Sequence, residues 1–550
     1  MLRGRCHGML LLLCVMAASA CGGKSAGGKG GSGGGGGRGG SSGGAGTGGA
    51  SGGAGSGGGS GSSGASGTSG AAGTGGNGGT TGVAGGGGSS GGGGASGTGG
   101  STAGAGGRGG TGGASGTGAG GTGGGAGTRG GAGTTGAGGT GGSAIAGTTG
   151  GAGTGGAGNC TGTTSVSGTV YDPSGTLPLY NVSVYAPTTA LTAVTEGVTC
   201  DRCGLLSGAP AAVATSDAQG KFKLEGIPAG VNVPIVFQTG KWRRQVTIPN
   251  VAACTDTPLT DANLTRLPRN KAEGHIPRIA VSTGAGDALE CFLRRIGIDD
   301  AEFTPDTGNG RVHLYEGGGG TNSFVTGDAF SPATSLWSNP TKLATYDMIG
   351  FACEGSTSKY IDQKPQTSVD NVAAYANSGG RLFLTHLHFS WLQRAANFSG
   401  TTTFAVMDTL ASPIVATVNQ TSARGMALAQ WLGGPSVNAS TTLGQIQLAG
   451  SEHSVVSLDP AMTEWIYVPN SPPNNHTTQV LSFQTPLSMP AAQQCGKVLF
   501  ADTHLQKADG TGGGDDSDPS KPFPYGCRTN AMTPQMKALE FLFFDLGACL

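Results

Sequence analysis

Between residue 22 and about residue 158 the chain has no acidic residue and almost no apolar side chain. Gly, Ser, Ala and Thr fill the stretch, with Lys24, Lys29, Arg38, Arg108 and Arg129 as scattered cations. Nothing there can be buried to offset backbone entropy, which is near its maximum for glycine, so folding is excluded. Glycine lacks a strict three-residue period, which excludes collagen, and the cations are too sparse for a nucleic-acid arm. What remains is a disordered tether with a root-mean-square reach of roughly 60–70 Å. A net charge is missing as well: 31 Lys and Arg face 31 Asp and Glu, so no acidic partner is implied. Much of the 115-residue glycine content sits in the tether. The remaining residues, about 390, read as ordinary globular sequence with room for two or three domains.

No apolar run at the start is long enough to span a bilayer. Arg3 and Arg5 precede a short apolar core, Met9 to Ala17, closed by Ala18-Ser19-Ala20-Cys21. Small residues directly before a cysteine resemble the bacterial lipoprotein signal. The resemblance implies that residues 1–20 are removed, that the Cys21 thiol carries diacylglycerol, and that residues 21–158 link this membrane anchor to the folded part. With Gly22 after the cysteine, the outer membrane is the expected location.

Beyond Cys21 the exported chain has nine cysteines: Cys160, Cys200, Cys203, Cys254, Cys291, Cys353, Cys495, Cys527 and Cys549. Outside the cell these are expected to form disulfides, and an odd number leaves one unpaired. Cys200-Asp201-Arg202-Cys203 is a CxxC without a second CxxC or a neighbouring histidine pair, so it reads as structural bridging before thiol exchange or zinc. The pairing within Cys160, Cys200, Cys203 and Cys254 stays open.

From Ser165 to Leu267, short alternating strands punctuated by Asp172-Pro173-Ser174-Gly175, Asp217-Ala218-Gln219-Gly220 and Ile227-Pro228-Ala229-Gly230 predict a β-sandwich over residues 159–268. SGTVYDPSG, NVSVYAP and TSDAQGKFKLEGIPAG resemble the carboxypeptidase regulatory-like domain, a transthyretin-like sandwich. Peptidase activity does not follow, because this segment has no histidine to bind a catalytic zinc. Lys241-Trp242-Arg243-Arg244 predicts a hairpin edge with a half-buried tryptophan and solvated arginines.

From residue 269 to 550 the rhythm is strand, glycine loop, helix, which predicts an α/β domain. Strands are expected at Ile279–Ser282, Met348–Ala352, Leu382–Leu384 and Val498–Phe500, and a final helix from Thr533 to Leu546. Antiparallel packing of that helix on the last strand would bring Cys495 to Cys549 as a disulfide. The same topology makes Cys353 and Cys527 a second pair and leaves Cys291 unpaired. YDMIGFACEG and VAAYANSGGRLFLTHLH resemble the class I glutamine-amidotransferase-like fold, including trehalose-utilisation-type relatives. Nothing supports a (β/α)8 barrel of the tryptophan synthase α-chain type, since the Gly317–Gly320 run lacks a phosphate-barrel context.

Active amidotransferases carry G-x-C-x-G at the nucleophile elbow, whereas this chain has Thr385-His386-Leu387-His388. The resemblance therefore implies a domain without amidotransferase chemistry. His504 matches the family histidine, but Gln506 stands where its acidic partner is expected. Cys353 precedes a loop instead of a helix and is a poor nucleophile candidate. Strand polarity should gather His386, His388, Asp502, His504 and Glu354 at the carboxyl edge of the sheet, where open α/β folds bind ligands. Imidazole and carboxylate suit zinc or another divalent metal. The expected role is a binding module on a tether, for a carbohydrate or another envelope component, with no nucleic-acid partner. The alternative is a metal-assisted hydrolase using that edge.

Overall fold

A computed structural model describes residues 161–202, 205–356, 363–406, 409–469, 476–505 and 517–550. Cys21 with its signal, the tether, Cys160, Cys203 and Gln506 lie outside the described residues. What is described is mixed α/β and rich in sheet. None of its helices is long and apolar enough to cross a membrane.

The first strands are β1 (Ser165–Thr169), β2 (Ser183–Pro187), β3 (Pro210–Thr215), β4 (Lys221–Glu225), β5 (Gly230–Thr239), β6 (Trp242–Val251) and β7 (Asp256–Leu259). They form a three-stranded sheet, β4-β1-β7, and a four-stranded sheet, β3-β2-β5-β6. Period-two patterning sets which face is covered: Phe222 and Leu224 are buried while Lys221, Lys223 and Glu225 alternate outward.

The following strands are β8 (Ile279–Ser282), β9 (Phe303–Thr304), β10 (Val312–Glu316), β11 (Ser331–Pro332), β12 (Met348–Phe351), β13 (Arg381–Thr385), β14 (Thr403–Phe404), β15 (Ile414–Val418), β16 (Gln445–Leu448), β17 (Val455–Ser457), β18 (Thr463–Pro469), β19 (His476–Thr485) and β20 (Gly496–Ala501). Apart from the small β14-β17 pair they make one sheet, ordered β11-β10-β8-β12-β13-β20-β19-β18-β15-β16, with β9 beside β10. The strands from β11 to β20 in that order are parallel, and β19, β18, β15 and β16 continue it antiparallel. The segment between β13 and β20, which reads as irregular in sequence, thus widens the sheet.

Every residue of β8, β12, β13 and β20 is buried, as expected for parallel strands covered on both faces. Alternate residues serve two cores. Leu382, Leu384, Val498 and Phe500 face the helix Gln366–Asn377, and Phe383 and Leu499 face the helices Leu289–Arg295 and Pro534–Gly547. The last helix starts where its sequence directs, with Thr533 accepting from the Met536 N–H and proline in the first turn.

The two sheet systems share one core. Trp242 is wholly buried instead of half-buried, its ring 5.6 Å from that of Phe544 on the last helix. Tyr180 stacks on Phe541, also at 5.6 Å. Arg243 and Arg244 are not simply solvated: they donate to the carbonyls of Thr192, and of Asn263 and Arg266. The tryptophan expected to be half-buried at a hairpin edge is therefore an internal joint.

The disulfides differ from the expected pairs. Cys495 joins Cys200, and Cys527 joins Cys291, so neither Cys495–Cys549 nor Cys353–Cys527 forms and Cys291 is not the free thiol. Cys254 and Cys549 are also disulfide-bonded. Among the described residues the free cysteine is Cys353, which is buried. The expected pairs assume that the last domain staples only to itself. The observed Cys200–Cys495 bridge instead runs between the residues preceding β3 and the start of β20.

Candidate functional site

Strands β8, β12, β13 and β20 are adjacent and parallel, so their carboxyl ends open on one edge. The chain leaves β8 for β10 on one side and returns to β12 on the other, which makes β8/β12 the topological switch where such sheets bind ligands. Asp287 follows β8, Cys353 follows β12, His386 follows β13 and His504 follows β20. Gly284 and Gly286 allow the β8 loop to lie against Cys353. A Cβ at Gly284 would strike the Cys353 and Ala352 carbonyls, and one at Gly286 would sit 3.1 Å from the Cys353 sulfur.

His386 occupies the elbow. It follows β13 directly, has φ +38°, and leads into a 3-10 turn and the helix Phe389–Arg394. Left-handed backbone in a non-glycine residue costs on the order of 1–3 kcal/mol and persists only where its surroundings hold it. The strand, strained turn and helix of a nucleophile elbow are thus present with imidazole in place of a nucleophile.

Around His386 lie the other members of the cluster. Its Nδ1 is 3.5 Å from the Cys353 sulfur, and its ring meets that of His504 edge to face at 4.7 Å. Cys353, His386 and His504 each offer a ligand atom, all within 4.8 Å of one another, so this group could hold a metal ion. His504 Nδ1 is 3.2 Å from Asp287 Oδ2. Asp287 also accepts from the Thr385 hydroxyl at 2.6 Å and the Leu505 N–H at 2.7 Å, while Thr385 accepts from the Cys353 N–H at 2.9 Å. Glu452 faces both imidazoles, at 3.8 Å from His504 Nε2 and 3.9 Å from His386 Nε2.

The electrostatics follow. Burial alone would depress His504, but the Asp287 charge and hydrogen bond, with Glu452, outweigh it and raise its pKa to about 9. Burial opposes ionisation of Asp287, yet His504 and its other donors hold it below the usual carboxylate range. His386 lies well below its ordinary value through burial and the His504 charge. Burial, then the Asp287 charge, push the Cys353 thiol up. Cys353 and His386 are therefore a neutral pair and not a thiolate–imidazolium dyad.

All five residues expected at the edge are there, but they do not form one site. His388 donates from Nε2 to the Ala352 carbonyl at 2.8 Å and accepts from the Trp391 indole on Nδ1 at 2.7 Å, so neither nitrogen is available to a metal. Glu354 is engaged by Lys364 at 2.5 Å and the Gly318 N–H at 2.9 Å. Asp502 accepts from the Ser454 N–H at 2.6 Å, and its burial raises its pKa to about 7. His386 and His504 come together with Cys353, and His388, Glu354 and Asp502 lie outside that group. The acidic partner of His504 is Asp287, 217 positions away, and not a residue two positions on.

No family model and no curated protein matches the chain. Among solved structures, it is similar to a putative ThuA-like protein from Bacteroides uniformis, at 12% identity and TM-score 0.25, covering 48% of this chain and 90% of that one. It is also similar to two cytoplasmic proteins from Salmonella typhimurium. One, at 14% identity and TM-score 0.22, covers 42% of this chain and 88% of that one. The other, at 12% identity and TM-score 0.23, covers 49% and 96%.

Proposed function

We propose that the protein is an envelope lipoprotein, lipidated at Cys21 and bound for the outer membrane, that displays a binding module on a long tether. In this reading residues 1–20 are the signal, 21–158 the tether, 159–268 a transthyretin-like sandwich and 269–550 a class I amidotransferase-like domain. The ligand edge of that domain takes a carbohydrate or another envelope component, with a divalent metal such as zinc as the candidate cofactor. One observation carries the binding role: the strained turn after β13 presents His386 where an elbow would present its nucleophile. A site built this way has the positioning of a nucleophile without a nucleophile. Metal-assisted hydrolysis is the second reading, favoured by the Cys353, His386 and His504 group.

Two measurements test this. Cys21→Ser should release the chain from membranes or leave its signal uncleaved, and mass spectrometry of the wild type should find a diacylglycerol-modified Cys21. An unmodified Cys21 with unchanged membrane association refutes the anchor. The purified chain should not release ammonia from glutamine, and turnover abolished by Cys353→Ala would refute the binding role.

A further inference from the structure

Each side chain of the Cys353, His386 and His504 group has a partner on the side facing away from the other two. His504 turns Nδ1 to Asp287, and its Nε2 faces the centre of the group with Glu452 Oε1 3.8 Å away. His386 turns Nε2 to Glu452 and Nδ1 to the sulfur. The Cys353 sulfur receives the Gly355 N–H at 3.4 Å and a backbone hydrogen bond from Leu387. A carboxylate behind each imidazole and N–H groups on the sulfur are the outer-shell features that orient metal ligands and stabilise a bound thiolate.

We propose that Cys353 Sγ, His386 Nδ1 and His504 Nε2 are the three protein ligands of a zinc site, with Asp287 and Glu452 orienting the imidazoles and the fourth position open beside Glu452. The proposal deepens the reading of this edge as a binding site. Zinc–sulfur and zinc–nitrogen bonds of about 2.3 and 2.05 Å at a tetrahedral angle place sulfur and nitrogen about 3.6 Å apart. The Cys353 Sγ to His386 Nδ1 separation of 3.5 Å already matches this. Each of the three residues offers a ligand atom within 4.8 Å of the others, so side-chain movement of about 1–1.5 Å closes the group on a zinc ion. One thiolate and two imidazoles suit zinc and give magnesium or calcium none of the oxygen ligands they need. Three protein ligands leave zinc a coordination position for water or a ligand atom. Cys353 lies at the bottom of the site with no exposure, while His386, His504 and Glu452 each retain 8–9% and form its mouth.

The test uses the full chain extracted in detergent, stripped with a chelator and reloaded with zinc alone. Elemental analysis after buffer exchange should find about one zinc per chain, and cobalt loading should give tetrahedral d–d bands with a sulfur-to-cobalt charge-transfer band. Cys353→Ser should remove the charge-transfer band, and His386→Ala or His504→Ala should abolish retention. Because those variants alter a packed core, Asp287→Asn and Glu452→Gln supply the second arm: each should weaken zinc about 10- to 100-fold with unchanged circular dichroism. A folded wild type that retains no zinc, or zinc retained equally by Cys353→Ser and His504→Ala, overturns the site. Copper(I) held in preference to zinc overturns the metal assignment. Neither result bears on Cys21 lipidation or on the absence of glutamine turnover, so failure of the zinc site is distinguishable from failure of the binding reading.

Discussion

Asp172, in the turn after β1, and Glu540, on the last helix, place two buried carboxyl groups together between the two sheet systems, at 1% and 0% exposure. Burial raises Asp172 from 3.8 to about 6 despite four hydrogen bonds, from the Ser174 hydroxyl, the Thr176 and Leu177 N–H groups and the Glu540 carboxyl. Burial, then the Asp172 charge, raises Glu540 well above its usual value. Since the folded value of Asp172 exceeds the unfolded one, the folded state holds a proton that the unfolded chain has lost between about pH 4 and pH 6. The stability this contributes is complete below about pH 4 and is lost as pH rises through about 6. At about 1.4 kcal/mol per tenfold in proton affinity, the change from 3.8 to about 6 amounts to about 3 kcal/mol. Asp172→Asn removes the charge but can keep Oδ1, which accepts both backbone N–H groups at 2.8 and 3.0 Å. The variant should match the wild type near pH 4 and exceed it by up to about 3 kcal/mol at pH 8. Denaturant unfolding followed by circular dichroism across that range measures the difference, which includes the relief of Glu540 from the Asp172 charge. An equal difference at pH 4 and pH 8 would refute the reasoning.

Peptide mapping without reduction should recover Cys200–Cys495 and Cys291–Cys527 links and an alkylatable Cys353 only after unfolding, whereas a Cys495–Cys549 link would contradict the fold. Removing Cys200–Cys495, which spans 295 positions, should cost about 5 kcal/mol on the loop-entropy model, read from the denaturation midpoint. Trp242→Ala should cost about 3–5 kcal/mol by emptying the joint against Phe544. A cost under about 1 kcal/mol would show that the two sheet systems do not depend on that joint.

The fold was legible where one local rule sufficed. Four buried strands of the large sheet, β8, β12, β13 and β20, lie where runs of apolar residues between glycine loops predict them. The last helix begins at its Thr-Pro signal. The region from β14 to β19 is not legible, because its strands follow no single pattern, β16 alternating and β19 buried almost throughout, and long loops separate them. The burial of Trp242 and the disulfide pairing are not legible in the sequence. Trp242 and the Cys200–Cys495 bridge depend on contact between the two sheet systems, and Cys291–Cys527 on contact between distant segments of the last domain; pattern reading within a segment carries no information about which segment lies against it.

The site divides along the same line, and the division explains its chemistry. His386 and His504 can be placed from strand polarity alone, since one directly follows a parallel strand and the other lies within three residues of the end of one. His388 could not be separated from them by sequence, because what removes it is the Ala352 carbonyl on the neighbouring β12 end and the indole of Trp391 one turn on. Asp287 did carry a signal: a carboxylate closing the glycine loop after the first parallel strand stands at the switch point of the sheet. Glu452 carried none, for it arrives from beyond β16, held by a bridge between Ser451 and Thr503 and by donation from its own N–H to the Asp502 carbonyl. That bridge fixes the insertion to the residues just after β20, and so to His504. The strands that widen the sheet therefore also deliver the carboxylate that faces both imidazoles, which a fold ending at β20 could not supply.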